Sequence, residues 1–211
     1  VTYTIAVSVP EAGLLGAATA SRSLAVGAGV LGVRAGVGIV VSQAYTNRSL
    51  RRYALDRLEL GHSPEEIVAT LPEVDPHPEL RQVAVLNQAG EFATHTGEVC
   101  TGEVATRHTQ GAVLVGNLLT TPDVIDAMLR SFEQQPPART PEELAEQLVR
   151  SLHAGERAGG DRRGQQSAAV LVAHDAVTPE GLAVDDIDLR ADDHLSPVEE
   201  LHRLLKIHRQ R

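Results

Sequence analysis

The sequence predicts an α+β fold, two mainly antiparallel sheets held between helical layers, on three observations. The chain opens on a period-two strand that a short turn folds back as a hairpin. Four helix starts are marked by a Ser or Thr cap followed by proline, at Ser63, Thr121, Thr140 and Ser196. Around these helices lie the near-continuous apolar runs GAVLVGN (111–117) and SAAVLVA (167–173), the pattern of strands buried on both faces. With 211 residues, a single domain spanning 1–211 can bury a full core.

In the opening VTYTIAVSV, Tyr3, Ile5, Val7 and Val9 take one face, and Thr2, Thr4, Ala6 and Ser8 take the other. Pro10, Glu11, Ala12 and Gly13 form the turn, LLGAATA the return strand, and glycine-punctuated apolar strands continue to about Gln43. GAGVLG (27–32) matches the GxGxxG dinucleotide spacing, but no helix is expected after it and no acidic residue follows at the required distance, so it is set aside. A Rossmann-type crossover is also disfavoured by the short opening hairpin. A helix is expected from Asn47 to a Gly61 C-cap. SPEE, TPEE and SPVE each add Glu at the third helical position, as a capping box requires, whereas TPDV does not. RQVAVLN, the turn QAGE and FATHT read as a hairpin.

The formal charge of −9 repels phosphate backbones and anionic surfaces, so neither nucleic acid nor membrane is an expected partner. Cys100 is the single cysteine, which excludes an internal disulfide and suits a cytoplasmic location. The apolar stretch 24–41 carries Arg34 at its middle and five glycines, against a membrane span. His95, His108 and His194 are scattered, and no metal site or cofactor is expected. ADDH (191–194) places two carboxylates side by side, which a turn before Ser196 explains.

Polar groups interrupt the apolar pattern in three places: Ser21 with Arg22 after the second strand, Asn117 at the end of VLVGN, and the segment AGGDRRGQQSAA (158–169) with Asp161, Arg163 and Ser167. Each has a plainer reading: a surface charge for Arg22, a strand-end side chain bonding its own backbone for Asn117, a solvated turn for 158–169.

These same stretches carry a resemblance. TYTIAV, AATASRSLAVG, VRAGVGIVVSQAYTN, TGEVC, VGNLL, GGDRRGQQSAAVLV and DLRADDHLSP follow, along essentially the whole chain, the pattern of the domain-of-unknown-function 1028 family, grouped with the N-terminal-nucleophile hydrolases. The opening is also similar to that of proteasome β-subunits, where a threonine heads a strand and an AADSR-like segment returns beside it; AATASR lacks that aspartate. The resemblance implies a four-layer αββα sandwich and hydrolysis of a small-molecule amide, linear or cyclic. Its catalytic residues would be Thr2 as nucleophile, Asn117 as oxyanion donor, Arg22 lowering the pKa of the amine and Asp161 orienting a cation. Ser21, Arg163 and Ser167 would line the site. Further copies of the chain are expected as partners in a homo-oligomer. Two alternatives stay open: a non-catalytic small-molecule-binding or assembly protein on the same fold, and an acyltransferase.

A nucleophile of this class uses its own α-amine as base, with a reference pKa of about 7.7–8.0. Behind Val1, Thr2 has only an amide nitrogen. The expectation is that Val1 is the literal translation of a GTG start codon, which places a Met there that is trimmed to expose Thr2.

Overall fold

A computed structural model describes residues 2–175 and 187–210; Val1, read above as a start codon, lies outside them. The opening hairpin forms as expected, with β1 (Thr2–Val9) and β2 (Leu14–Ser21) joined by a single 3-10 turn at Pro10–Ala12. Here the expected strand run breaks. Val26–Val30 form a short helix, α1, before β3 (Leu31–Arg34) and β4 (Gly38–Ala44). Tertiary anchors override the local pattern: Ala25 N donates to Asp192 O and Val26 N to Ser167 Oγ. A Cβ on Gly27 would lie 2.2 Å from that of Ala169, so only glycine lets this turn rest on the sheet.

α2 (Ser49–Glu59) ends at Gly61, which takes the predicted left-handed conformation at φ +89°. α3 (Pro64–Ala69) carries a complete capping box between Ser63 and Glu66. α4 (Leu71–Val74) leads to β5 (Arg81–Asn87) and β6 (Phe92–Thr96), the expected hairpin. β7 (Glu103–Thr109), which sequence periodicity did not reveal, is a half-exposed edge strand beside β8 (Ala112–Leu119). α5 (Asp123–Glu133) and α6 (Pro141–Arg157) precede β9 (Ser167–His174), and β10 (Ile187–Ala191) precedes α7 (Pro197–His208). Thr140 caps α6 through Glu143 N, but at α7 the Ser196 hydroxyl does not cap; instead Ser196 N donates to His194 Nδ1.

The strands form two antiparallel sheets, ordered β10-β9-β2-β1-β8-β7 and β3-β4-β5-β6. α5, α6 and α7 cover the larger sheet, where Tyr3, Ile5 and Val7 meet Met128, Leu144 and Leu148. α2 and α3 cover the smaller one, where Val40, Val83 and Val85 meet Leu50, Leu55 and Ile67. Between the sheets, Ala6, Leu15, Ala17, Val113 and Val115 pack on Leu31, Ile39, Val41, Ala84 and Leu86. The result is the four-layer αββα sandwich. The period-two reading of β1 holds residue by residue, its apolar face under the helices and its small, hydroxylated face turned to the second sheet.

One ion pair fixes the ends of β4 and β5. The fully buried Asp75 carboxylate accepts from Arg81 Nε at 2.8 Å and Arg81 Nη2 at 3.2 Å, from Asn47 Nδ2 at 3.1 Å and from His77 N at 3.1 Å. Arg81 also donates to Tyr45 O. The Arg81 hydrogen bonds, foremost, hold the Asp75 carboxyl down to about 2. A depressed carboxyl stabilises the fold above its unfolded pKa of about 3.9, and this contribution is lost as pH falls through the folded value. Asp75→Asn should therefore cost about 2 kcal/mol at neutral pH, and its difference from wild type should shrink between about pH 4 and pH 2. Denaturant unfolding across that range checks both.

Candidate functional site

At the end of the larger sheet where β1 begins, four strands place their polar residues in one row. Thr2 pairs with Asn117 on β8 and with Ser21 on β2, and Ser21 pairs with Ser167 on β9. In antiparallel register such residues share a face, with Cβ atoms roughly 4.5–5.5 Å apart between neighbours. Four of the seven candidates thus come together on the face turned to the second sheet. All four are buried: Thr2 is 5% exposed, Asn117 1%, Ser21 2% and Ser167 0%. Thr2 Oγ1 donates to Ser21 Oγ over 3.4 Å, long for such a bond, while Ser167 Oγ accepts from Val26 N and donates to Ser23 O.

Below the row, toward the middle of the sandwich, lies a polar network that sequence reasoning missed. Thr4 Oγ1 donates to Gln43 Oε1 at 2.7 Å and shares a 2.7 Å hydrogen bond with Thr19 Oγ1. Gln43 Nε2 donates to Thr2 O, Val115 O and Gln82 Oε1, which bridges the two sheets. Gln82 Nε2 donates to Gly116 O at 3.0 Å and reaches Thr96 Oγ1 at 3.3 Å. Asn117 Nδ2 donates to Gln82 Oε1 at 3.0 Å, and Asn117 Oδ1 is buried with no partner among the described residues. The available signal was a glutamine inside or beside an apolar strand run, in IVVSQA and RQVAVL, on the same parity as the inward-facing apolar residues.

The backbone around this network is strained. The three described non-glycine residues at positive φ are Ala25 (51°), Ala44 (68°) and Leu118 (50°). Ala44 follows Gln43, Leu118 follows Asn117, and Ala25 precedes the helix turn bonded to Ser167. Such conformations cost on the order of 1–3 kcal/mol each and persist where surrounding structure imposes them, commonly at functional sites. The β7–β8 register also slips between Glu103 and Ala105, beside Asn117.

Asp161 is no solvated turn residue. It is 6% exposed, and its carboxylate accepts from Arg22 N at 2.7 Å, from Arg163 N at 2.8 Å, and from Arg163 Nε and Nη2. Its backbone bridges Leu119. It ties the loop after α6 to the ends of both β2 and β8, the strands flanking Thr2, and among the described residues no hydrogen bond joins it to Thr2 itself. Arg22 presents its backbone to Asp161, while its exposed guanidinium donates to Gln166 Oε1. On the opposite face of β1, burial raises the Tyr3 phenol far above its ordinary pKa, and Glu156 and Asp161 push it the same way. A groove of about 850 Å³ between α6 and α7 is lined by none of these residues.

A four-layer sandwich with a buried polar row at the start of its first strand is the class of protein this geometry defines. The chain matches the family of unknown function DUF1028 over residues 2–201, and it belongs to that family. Its fold is similar to the crystal structure of protein SPO2555 from Silicibacter pomeroyi, described under the same family, with a TM-score of 0.85 at 28% identity over 98% of this chain and 88% of that one. A more distant match, at TM-score 0.45 and 14% identity over 99% of this chain and 97% of the other, is Anbu (ancestral beta-subunit) from Yersinia bercovieri. None of the functionally curated proteins matches the chain in sequence.

Because the buried Asp161 carboxylate accepts from two backbone N–H groups, Asp161→Asn, which turns an amide donor toward one of them, should destabilise the protein by about 1–3 kcal/mol. Denaturant unfolding checks this. A change within about 0.5 kcal/mol, typical of surface sites, would return the segment to the solvated-turn reading.

Proposed function

We propose that this protein is an N-terminal-nucleophile amidohydrolase that cleaves a small-molecule amide, with Thr2 as the attacking residue. The observation that carries the reading is the position of Thr2: it heads a central strand, on the small and hydroxylated face, between Asn117 and Ser21. The family resemblance supports the same assignment.

The chemistry requires Thr2 to be the first residue of the mature chain. Its free α-amine takes the proton from Oγ1 as Oγ1 attacks the carbonyl carbon of the substrate. The tetrahedral intermediate collapses, the C–N bond breaks, and the amine leaves with that proton. Water, activated by the same α-amine, then hydrolyses the acyl ester and restores Thr2. Ser21 is in reach to relay a hydrogen bond to Oγ1, and Ser167 holds the α1 turn against the row. Asp161 and Arg163 position the strand ends. Arg22 contributes positive charge, which disfavours protonation of the amine. Asn117 contacts the scissile group. The reaction as written draws on no cofactor. The alternatives are a binding or assembly protein, which needs no free amine, and an acyltransferase, in which another acceptor replaces water.

Two measurements test the reading. The intact mass of protein expressed from its native start should correspond to a chain beginning at Thr2. Thr2→Ala should unfold within about 1 kcal/mol of wild type, since no large apolar group is lost, yet abolish turnover across a panel of linear and cyclic amides, while Thr2→Ser retains part of it. Equal rates for wild type and Thr2→Ala would reject the assignment.

A further inference from the structure

The orientation of the Asn117 side chain is dictated by atoms that can act in only one way. Gln43 Nε2 faces Thr2 O and Val115 O, backbone carbonyls that only accept, so the amide nitrogen of Gln43 must point there. That nitrogen also meets Gln82 Oε1 at 2.8 Å, which makes this end of Gln82 the oxygen. A second anchor agrees: the other end of Gln82 lies 3.0 Å from Gly116 O and must be its nitrogen. Asn117 therefore approaches Gln82 Oε1 with Nδ2, and what remains is Oδ1, buried and unpartnered in the row that holds Thr2. Leaving such an acceptor buried and unmade is costly, and a ligand donating to it would recover that cost.

We infer that Gln43 and Gln82 are positioning residues that turn the Asn117 carbonyl oxygen toward the reacting end, making Asn117 the acceptor for a substrate N–H. The inference rests on Thr2 as the nucleophile. It reverses the oxyanion-donor role that the sequence suggested for Asn117, and it names the substrate class: amides that carry an N–H, with esters and N-alkylated amides disfavoured. A site built to hydrogen-bond a substrate NH rejects analogues lacking it strongly, because its own buried group is then left unpaired.

The first test compares p-nitroacetanilide, which has the N–H, with p-nitrophenyl acetate, which has the same acyl group and no N–H. Asn117→Ala should lower kcat/KM for the anilide by about 100-fold or more and that for the ester by no more than about 3-fold. Gln82→Met should produce the same selective loss in the wild-type background and little further loss on top of Asn117→Ala. Parallel losses on both substrates would make Asn117 an oxyanion donor and overturn the inference, as would multiplying effects in the double variant. Full turnover of both probes by Thr2→Ala would instead reject the nucleophile and leave the amide orientation standing.

The second test needs no substrate. In Asn117→Asp, an ionised carboxylate sets an acceptor against Gln82 Oε1, and only the protonated acid can donate there. Its folded pKa is then raised, so its stability is greatest at low pH and is lost as pH rises through that value. The ionisable groups on flanking elements, Asp161 and Glu103, both paired with Leu119, are common to wild type and variant. The gap in Tm between wild type and Asn117→Asp should widen by about 4 °C or more from about pH 4 to pH 7. A constant gap would mean that Gln82 turns over to donate, and the relay would be refuted.

Discussion

The space between the two sheets is the constraint on which the remainder of the structure depends. Two antiparallel sheets close on each other easily where both inner faces are aliphatic, as around Ala6, Ala17, Ile39 and Leu86. At the other end the inner faces carry Thr4, Thr19, Gln43, Gln82 and Asn117, all essentially sealed from water. Burying them is tolerable because every side-chain polar atom but the Asn117 oxygen finds a partner on the facing sheet or on a neighbouring strand. Gln43 reaches across to the carbonyls of Thr2 and Val115, and Gln82 to that of Gly116. The polar end of the sandwich is therefore specific in a way the aliphatic end is not. A slip of one residue in β1, β5 or β8 would turn these donors to the wrong face and leave several buried groups unmatched.

The outer features follow from keeping those strand ends in place. Asp75 and Arg81 lock the start of β5 next to Gln82, and Arg81 holds Tyr45 just beyond Gln43. On the other sheet Asp161 clasps the residue after β2 and the end of β8. The left-handed residues Ala44 and Leu118 bend the chain immediately after Gln43 and Asn117, so each amide lies within two residues of the end of its strand. Strain at these two positions is offset by the ion pairs and hydrogen bonds around them.

Much of this was legible in the sequence where local chemistry governs. The alternation of β1, the turn at Pro10–Gly13, the Ser63 capping box and the Gly61 stop depend on neighbours a few residues away, and they appear as the pattern predicts. Thr2, Ser21, Asn117 and Ser167 stood out as polar residues at the ends of apolar runs, and the sheet register brings them into one row. What local pattern misses is decided by distant partners. VGAGV becomes a helical turn because Ser167 and Asp192 hold it. β7 pairs although its own sequence scarcely alternates. Gln43 and Gln82 drew no functional reading because a glutamine's worth depends on a carbonyl in the opposite sheet. Asp161 looked like loop charge because the partners that bury its carboxylate, in a loop otherwise open to solvent, are distant in sequence.

The position of β1 has a consequence for how the molecule is made. It lies between β2, its hairpin partner, and β8, which comes more than half the chain later. During synthesis the first hairpin waits with both edges open, that of β1 until β8 and that of β2 until β9 has left the ribosome, and Gln82 lacks the Gly116 carbonyl before β8 arrives. Pairings of such long sequence separation are slow to form and leave strand edges open to wrong partners in the meantime. Folding should accordingly be late and all-or-none at this end, and the residues that would perform chemistry are among the last to acquire their geometry.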